Sequence, residues 1–181
     1  TVHSQARTTS TTGATTTFDN YDGEHVGEQH ITINGGHLEV RVIGSTTYLT
    51  GDAKGLAVYG VDAEQLHGQW LPLVAAQRGY GSVTAGVTLA SALDADKIAG
   101  PLRREPDKTI DGEPVYGISG HGNGANSPSG STSTIWISKD TGLPVEFDAT
   151  TATTTITETF SDWGEPIHVA TPSNVFGQTT I

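Results

Sequence analysis

The stretch EQHITINGGHLEVRV (28–42) constrains this chain more than any other. Asn34-Gly35 is a two-residue turn signal, because a type I′ hairpin needs positive φ at both central residues. Apolar residues alternate on either side of it. Whether the loop is Asn34-Gly35 or Gly35-Gly36, Ile31, Ile33, Leu38, Val40 and Val42 share one face. His30, Thr32, His37, Glu39 and Arg41 share the other. A strand pair with one buried and one wet face is the expectation.

The same logic recurs in STIWISKDTGLPVEFD (133–148). Asp140-Thr141-Gly142 reads as a three-residue loop with Gly at the left-handed position. Ile135, Ile137, Leu143, Val145 and Phe147 then share a face, with Trp136, Ser138, Pro144 and Glu146 on the other. Asp111-Gly112 marks a third turn, ahead of EPVYGISG, and a Thr-rich strand runs through TTTITETF to Phe160. The middle of the chain differs. Residues 55–69 carry a short, imperfect helix pattern. Residues 82–100 (SVTAGVTLASALDADKIAG) read as a helix capped by Ser82, with a stripe of Val83, Val87, Ala90 and Ser91 flanked by Leu89 and Leu93, and stopped by Gly100-Pro101. Strands, then helices, then strands predict an α+β fold, an antiparallel sheet with helices gathered on one side.

Composition narrows the function. A length of 181 residues suffices for one domain with a core, while only 34% hydrophobic residues, with Thr, Gly and Ser abundant, suggest many short strands. A net charge of -11 argues against nucleic acid and against an anionic membrane surface as partners. With no Cys there is no disulfide, thiolate ligand or thiol nucleophile. No apolar run approaches the ~20 residues of a membrane span. With no Met at all, the chain reads as beginning after a cleavage. Residues 1–14 are polar, Thr-rich and without apolar period, and are expected to be a disordered tether, with a single folded domain over 15–181.

No catalytic motif stands out. The GxSxG elbow and the HExxH zinc motif are both missing from the sequence, and residues 120–130 (GHGNGANSPSG) lack the Lys-Ser/Thr of a phosphate cradle. A Ser-His-Asp triad assembled from distant positions stays open. His25, His30 and His37 invite a metal, but the hairpin offers only His30 and His37 on one face, with no third ligand, so no metal site and no cofactor are expected. Asp19 and Asp22, and Asp94 and Asp96, read as loop and helix-end charges. In FSDWGEP (160–166) Asp162 and Glu165 are too few for a cation, and the segment reads as the closing corner of a sheet, with Trp163 packing it and IHV (167–169) as a short last strand.

The order HLEVRVIGSTTYLTG, GQWLPL, TLASAL, TIDGEPVYGISG, TIWISKDTGLPVEF and FSDWGEPIHVATP resembles the actinobacterial cell-envelope lipoproteins of the LppX/LprG type, and more distantly the LolA/LolB lipoprotein carriers. The resemblance spans roughly residues 24–172. It implies a curved antiparallel β-sheet, an open half-barrel, with helices covering the concave face. It also implies an apolar cavity between the two layers for a lipid or other amphipathic small molecule, no catalytic residues, and an extracytoplasmic location. The family's lipid-bearing Cys would lie upstream of Thr1, anchoring the protein to the outer face of the cytoplasmic membrane. Carried onto this chain, the cavity residues are Leu38, Val40, Val42, Tyr48, Trp70, Val87, Leu89, Leu93, Ile118, Ile135, Val145 and Phe147. The expected function is therefore lipid binding without catalysis. The alternatives are an interaction module with a filled core that binds other envelope proteins, and a hydrolase.

Overall fold

The structure is a computed structural model, which describes residues 1–73, 80–124, 126 and 130–177. Among these residues, eleven strands form one antiparallel sheet. They are β1 (Val2–Ser10), β2 (Thr15–Asp22), β3 (Val26–Ile33), β4 (Gly36–Ile43), β5 (Thr46–Gly51), β6 (Leu71–Leu73), β7 (Ile98–Ile110), β8 (Glu113–Gly122), β9 (Thr132–Ser138), β10 (Pro144–Thr150) and β11 (Thr154–Ser161). Four short helices, α1 (Ala53–Val58), α2 (Ala63–Leu66), α3 (Tyr80–Thr84) and α4 (Leu89–Ala95), lie between β5 and β7. The strand order is β6-β5-β4-β3-β2-β1-β11-β10-β9-β8-β7. Two meanders therefore meet at β1 and β11, and the sheet stays open, as the α+β half-barrel expectation requires. No helix among the described residues is long and apolar enough to cross a membrane.

The hairpins form where the turn chemistry places them. Asn34 and Gly35 have φ of 51° and 74°, Asp111 and Gly112 have 48° and 90°, and Gly142 has 73°. Ile31 stands opposite Leu38, and Gln29 opposite Val40. Leu38, Val40, Leu49, Leu56, Leu66, Val83 and Val87 are buried together, so α1 to α3 cover β3 to β5. In the second hairpin a bulge between Pro144 and Glu146 sets Pro144 opposite Ile137, on the face where alternation had not put it.

Four expectations need correction. Residues 2–10 are not a tether but β1, paired with β2 on one side and β11 on the other, and the fold begins at Val2 rather than near Thr15. The 82–100 helix is two helices, interrupted where Gly86 takes φ 75°. Thr88 caps the second through a reciprocal box with Ser91, and α4 buries Ala92 and Ala95 and leaves Leu93 exposed. Gly100-Pro101 does not stop a helix; it lies inside β7 as a cis peptide. Residues 167–169 form no strand. The segment beyond β11 crosses the outer face instead, where Ala170 O accepts from Arg41 Nη1 at 3.0 Å and Asn174 O accepts from the Trp70 amide at 2.9 Å.

The closing corner is as expected. Asp162 and Gly164 turn with φ of 53° and 82°, and Trp163 packs against Phe160 with ring centroids 6.0 Å apart. The Trp163 indole N–H donates to Pro144 O at 2.9 Å, which ties the corner to β10.

Candidate ligand-binding face

Direct cross-strand partners point the same way from a sheet, so the register shows which residues share the helix side. One row runs Ala6, Glu158, Phe147, Ile135, Ile118 across β1, β11, β10, β9 and β8. Beside it, Ser4 faces Phe160 and Ile137 faces Tyr116. On β8 to β10 this surface is apolar but only half-buried, apart from the fully buried Phe147. Leu102 on β7 adds an exposed apolar side chain.

The middle of the helix side is polar. Ser4, Asn20, Asp22, Gln29, Asp96 and Glu158 are all buried there or against it. Asn20 Nδ2 donates to Ser4 Oγ at 3.1 Å, and Ser4 is also hydrogen-bonded to Glu158. Asn126 Nδ2 bridges two carboxylates, at 3.1 Å from Asp96 Oδ1 and 3.3 Å from Glu158 Oε2. Asn20 Oδ1 and both Asp22 oxygens are buried without a hydrogen-bond partner among the described residues. Between α4 and the sheet lies a cavity of about 50 Å³, lined in part by Ala6, Phe18, Asn20, Ala95, Asn126 and Glu158.

Burial dominates the electrostatics of this layer. It pushes the Asp22 carboxyl up to about 8, reinforced by Glu158 and opposed by the N-terminal ammonium. Asp96 is likewise raised to about 8 by burial, then by Glu158 and Asp22, against the Asn126 hydrogen bond. Burial raises Glu158 too, against hydrogen bonds from Ser4 and Asn126. A carboxyl whose pKa is higher folded than unfolded binds more protons when folded. Its contribution is full below about pH 4 and is lost as pH rises through about 8. The expected result is a melting temperature that falls across that window. Asp22→Asn, which cannot ionise, is expected to melt about 4–8 °C above the parent at pH 8, on ~2 kcal/mol of relieved desolvation, with little change at pH 4. Parallel melts at the two pH values check it, and an equal shift at both would refute the ionisation argument.

The sequence-derived cavity residues divide into three groups. Leu38, Val40, Val42, Val87 and Phe147 are buried on the helix side. Ile118, Ile135, Val145 and Leu89 are half-buried. The rest do not line this side. Leu93 points to solvent. Tyr48 faces Arg41 across β4 and β5, and the Arg41 guanidinium lies 4.7 Å from the Trp70 ring centroid, so both aromatics sit on the outer face. The cause is strand parity, because Leu49, beside Tyr48, takes the inward position with no exposure.

The outer face brings together the residue types of a hydrolase. His3 Nδ1 is 3.1 Å from Ser161 Oγ, and His3 Nε2 is 2.6 Å from Asp19 Oδ1. Ser161 Oγ also donates to Asp162 Oδ2 at 3.1 Å, and the following amides of Gly164 and Glu165 are bound to Thr1 O and Asp162 O. These contacts link β1 to β2 and β11 as a cross-strand polar ladder. A shallow groove of about 570 Å³ lies alongside, lined largely by Gln5, Arg7, Thr17, Asp19, Thr157 and Thr159.

No protein-family model and no curated protein sequence matches the chain. Solved structures do resemble it. Lipoprotein LppX of Mycobacterium tuberculosis matches with a TM-score of 0.53 at 18% identity, over 93% of this chain and 88% of that one. LprF from Mycobacterium bovis matches with a TM-score of 0.54 at 14% identity, over 94% and 90%. The fold is thus the LppX type that the sequence resembles.

Proposed function

We propose that this chain is a non-catalytic, extracytoplasmic binding protein for a lipid or other amphipathic molecule, with acyl chains lying on the helix side of β8 to β10. The observation that carries the reading is the half-buried apolar surface of Ile118, Ile135, Tyr116 and Ile137, which continues the row of the fully buried Phe147. The fold shared with two mycobacterial lipoproteins supports it. A membrane anchor upstream of Thr1 belongs to the same reading. Burying a 16-carbon chain contributes about 12 kcal/mol gross at ~0.8 kcal/mol per CH₂, before ordering costs. Such binding needs no polar motif, in keeping with a sequence that shows none.

Ligand pockets usually hold about 300–1,000 Å³. The gap under α4 is about 50 Å³, so a chain that extends there requires α4 to move off the sheet. Short helices joined through Gly86 make that movement local. The same small gap favours the second reading, an interaction module with a filled core.

Native mass spectrometry after incubation with dipalmitoyl phospholipid vesicles separates the two. The lipid reading expects a bound-lipid adduct, and Ile135→Asp is expected to reduce it about tenfold while far-ultraviolet circular dichroism is unchanged. A parent protein that takes up no lipid, or a variant that loads equally well, would overturn it.

A further inference from the structure

The outer face of β3 and β4 carries a second constellation, separate from the lipid reading. Opposite residues are Glu28 with Arg41 and His30 with Glu39. Glu28, His30 and Glu39 each bring one metal-ligating atom to within 4.8 Å of the other two. His37, the partner that spacing suggested for His30, is engaged elsewhere, with Nδ1 at 3.2 Å from Thr32 Oγ1. The missing ligands of a His30 site are therefore glutamates, one beside it on β3 and one across the hairpin.

We infer that Glu28, His30 and Glu39 form a binding site for a divalent metal ion of the zinc class. Two carboxylates and one imidazole are a zinc-type donor set, with a fourth position left for water. Calcium and magnesium fit less well, because both want an oxygen-only shell of six or more ligands. The carboxylates are held in place. Arg41 Nε and Nη2 donate to Glu28 Oε1 at 3.2 and 3.1 Å, and Nη2 lies 2.6 Å from Glu39 Oε1. Arg41 is itself fixed by Ala170 O and by the Trp70 ring. The Arg41–Glu39 contact is an ion pair, and Glu39 Oε1 is otherwise buried without a hydrogen-bond partner among the described residues. Arg41 touches one oxygen of each glutamate, and a carboxylate has two oxygens with about four lone-pair sites, so acceptor capacity remains. Both glutamates contact the one guanidinium, and His30 Nε2 lies 3.4 Å from Glu28 Oε1. Arg41 then acts as a positioning residue that orients the ligands.

Isothermal titration of the full chain with zinc chloride tests the site. The expected result is one saturable equivalent. His30→Ala and Glu39→Gln should each weaken it by about tenfold or more. His3→Ala, altering the ladder with Ser161 and Asp19, should leave it unchanged, and excess calcium should not compete. Circular dichroism of each variant controls for folding. A parent protein without saturable zinc binding overturns the site, as does affinity that survives His30→Ala and Glu39→Gln in folded protein or is lost with His3→Ala.

Discussion

Gly27→Ala is expected to lower the melting temperature by about 6–12 °C, a loss of ~3 kcal/mol at about 2–4 °C per kcal/mol. Gly27 lies on the helix side of β3, and a Cβ built there would stand 1.5 Å from Val87 O and 2.7 Å from its carbonyl carbon. Both are backbone atoms, so no side chain can yield; the whole 84–88 segment must lift. That segment holds Val87, which has no exposed surface, and leads into α4, whose Leu89 amide donates to Gly23 O at 3.0 Å. Lifting it exposes Val83 and Val87 and widens the gap beneath α4. The variant should therefore also bind a hydrophobic dye more strongly than the parent. A thermal melt and a dye titration check both, and a shift under about 2 °C would contradict this close packing.

Removal of residues 1–10 is expected to abolish cooperative unfolding altogether. β1 is paired along its length on both sides, with Ala6 opposite both Phe18 and Glu158. Without it, β2 and β11 become unpaired edges, and the two meanders lose the strand that joins them. Exposed edges of this kind promote aggregation. Thermal unfolding followed by circular dichroism, with size-exclusion chromatography, measures the outcome. A sharp transition within a few degrees of the parent would show that β1 is dispensable.

The sequence made local features legible and hid those set by distant pairing. The Asn34-Gly35 and Asp111-Gly112 hairpins are local, since turn chemistry fixes the register and the register fixes the faces. β1 was hidden because VHSQARTTS offers only Val2 and Ala6 as inward apolar residues, with Ser4 between them in the polar layer. Its Thr content was the available signal, since β-branched residues suit strands. Size alone suggests Tyr48 and Trp70 for the interior, but strand parity gives the inward places to Leu49 and to its cross-strand partner Leu71. The buried acids did leave a trace. Alternation in TITETF puts Glu158 between Ile156 and Phe160, and in TFDNYD it puts Asn20 and Asp22 after Phe18. A charged residue on an apolar register marks a special site. The zinc-class cluster was also within reach, because Glu28, His30 and Glu39 share the wet face that the hairpin defines.

The seam between β1 and β11 also bears on how the chain reaches its folded state. Each meander assembles from neighbours in sequence, but the seam joins His3 to Ser161. Contacts of such separation carry the largest loop-closure cost and slow folding, so topology makes the seam a late event. Until it closes, two long strands stand open to other copies of the chain. On the outer face Gln5, Arg7 and Thr9 meet Thr159, Thr157 and Thr155, while on the helix side Ser4, Ala6 and Thr8 meet Phe160, Glu158 and Ile156. The outward half of that edge, hydroxyls with an amide and a guanidinium, pairs well with its own partner but offers little apolar surface to a stranger. The Thr-rich composition of the seam thus protects the unfinished molecule during the interval when its sheet is still in two halves.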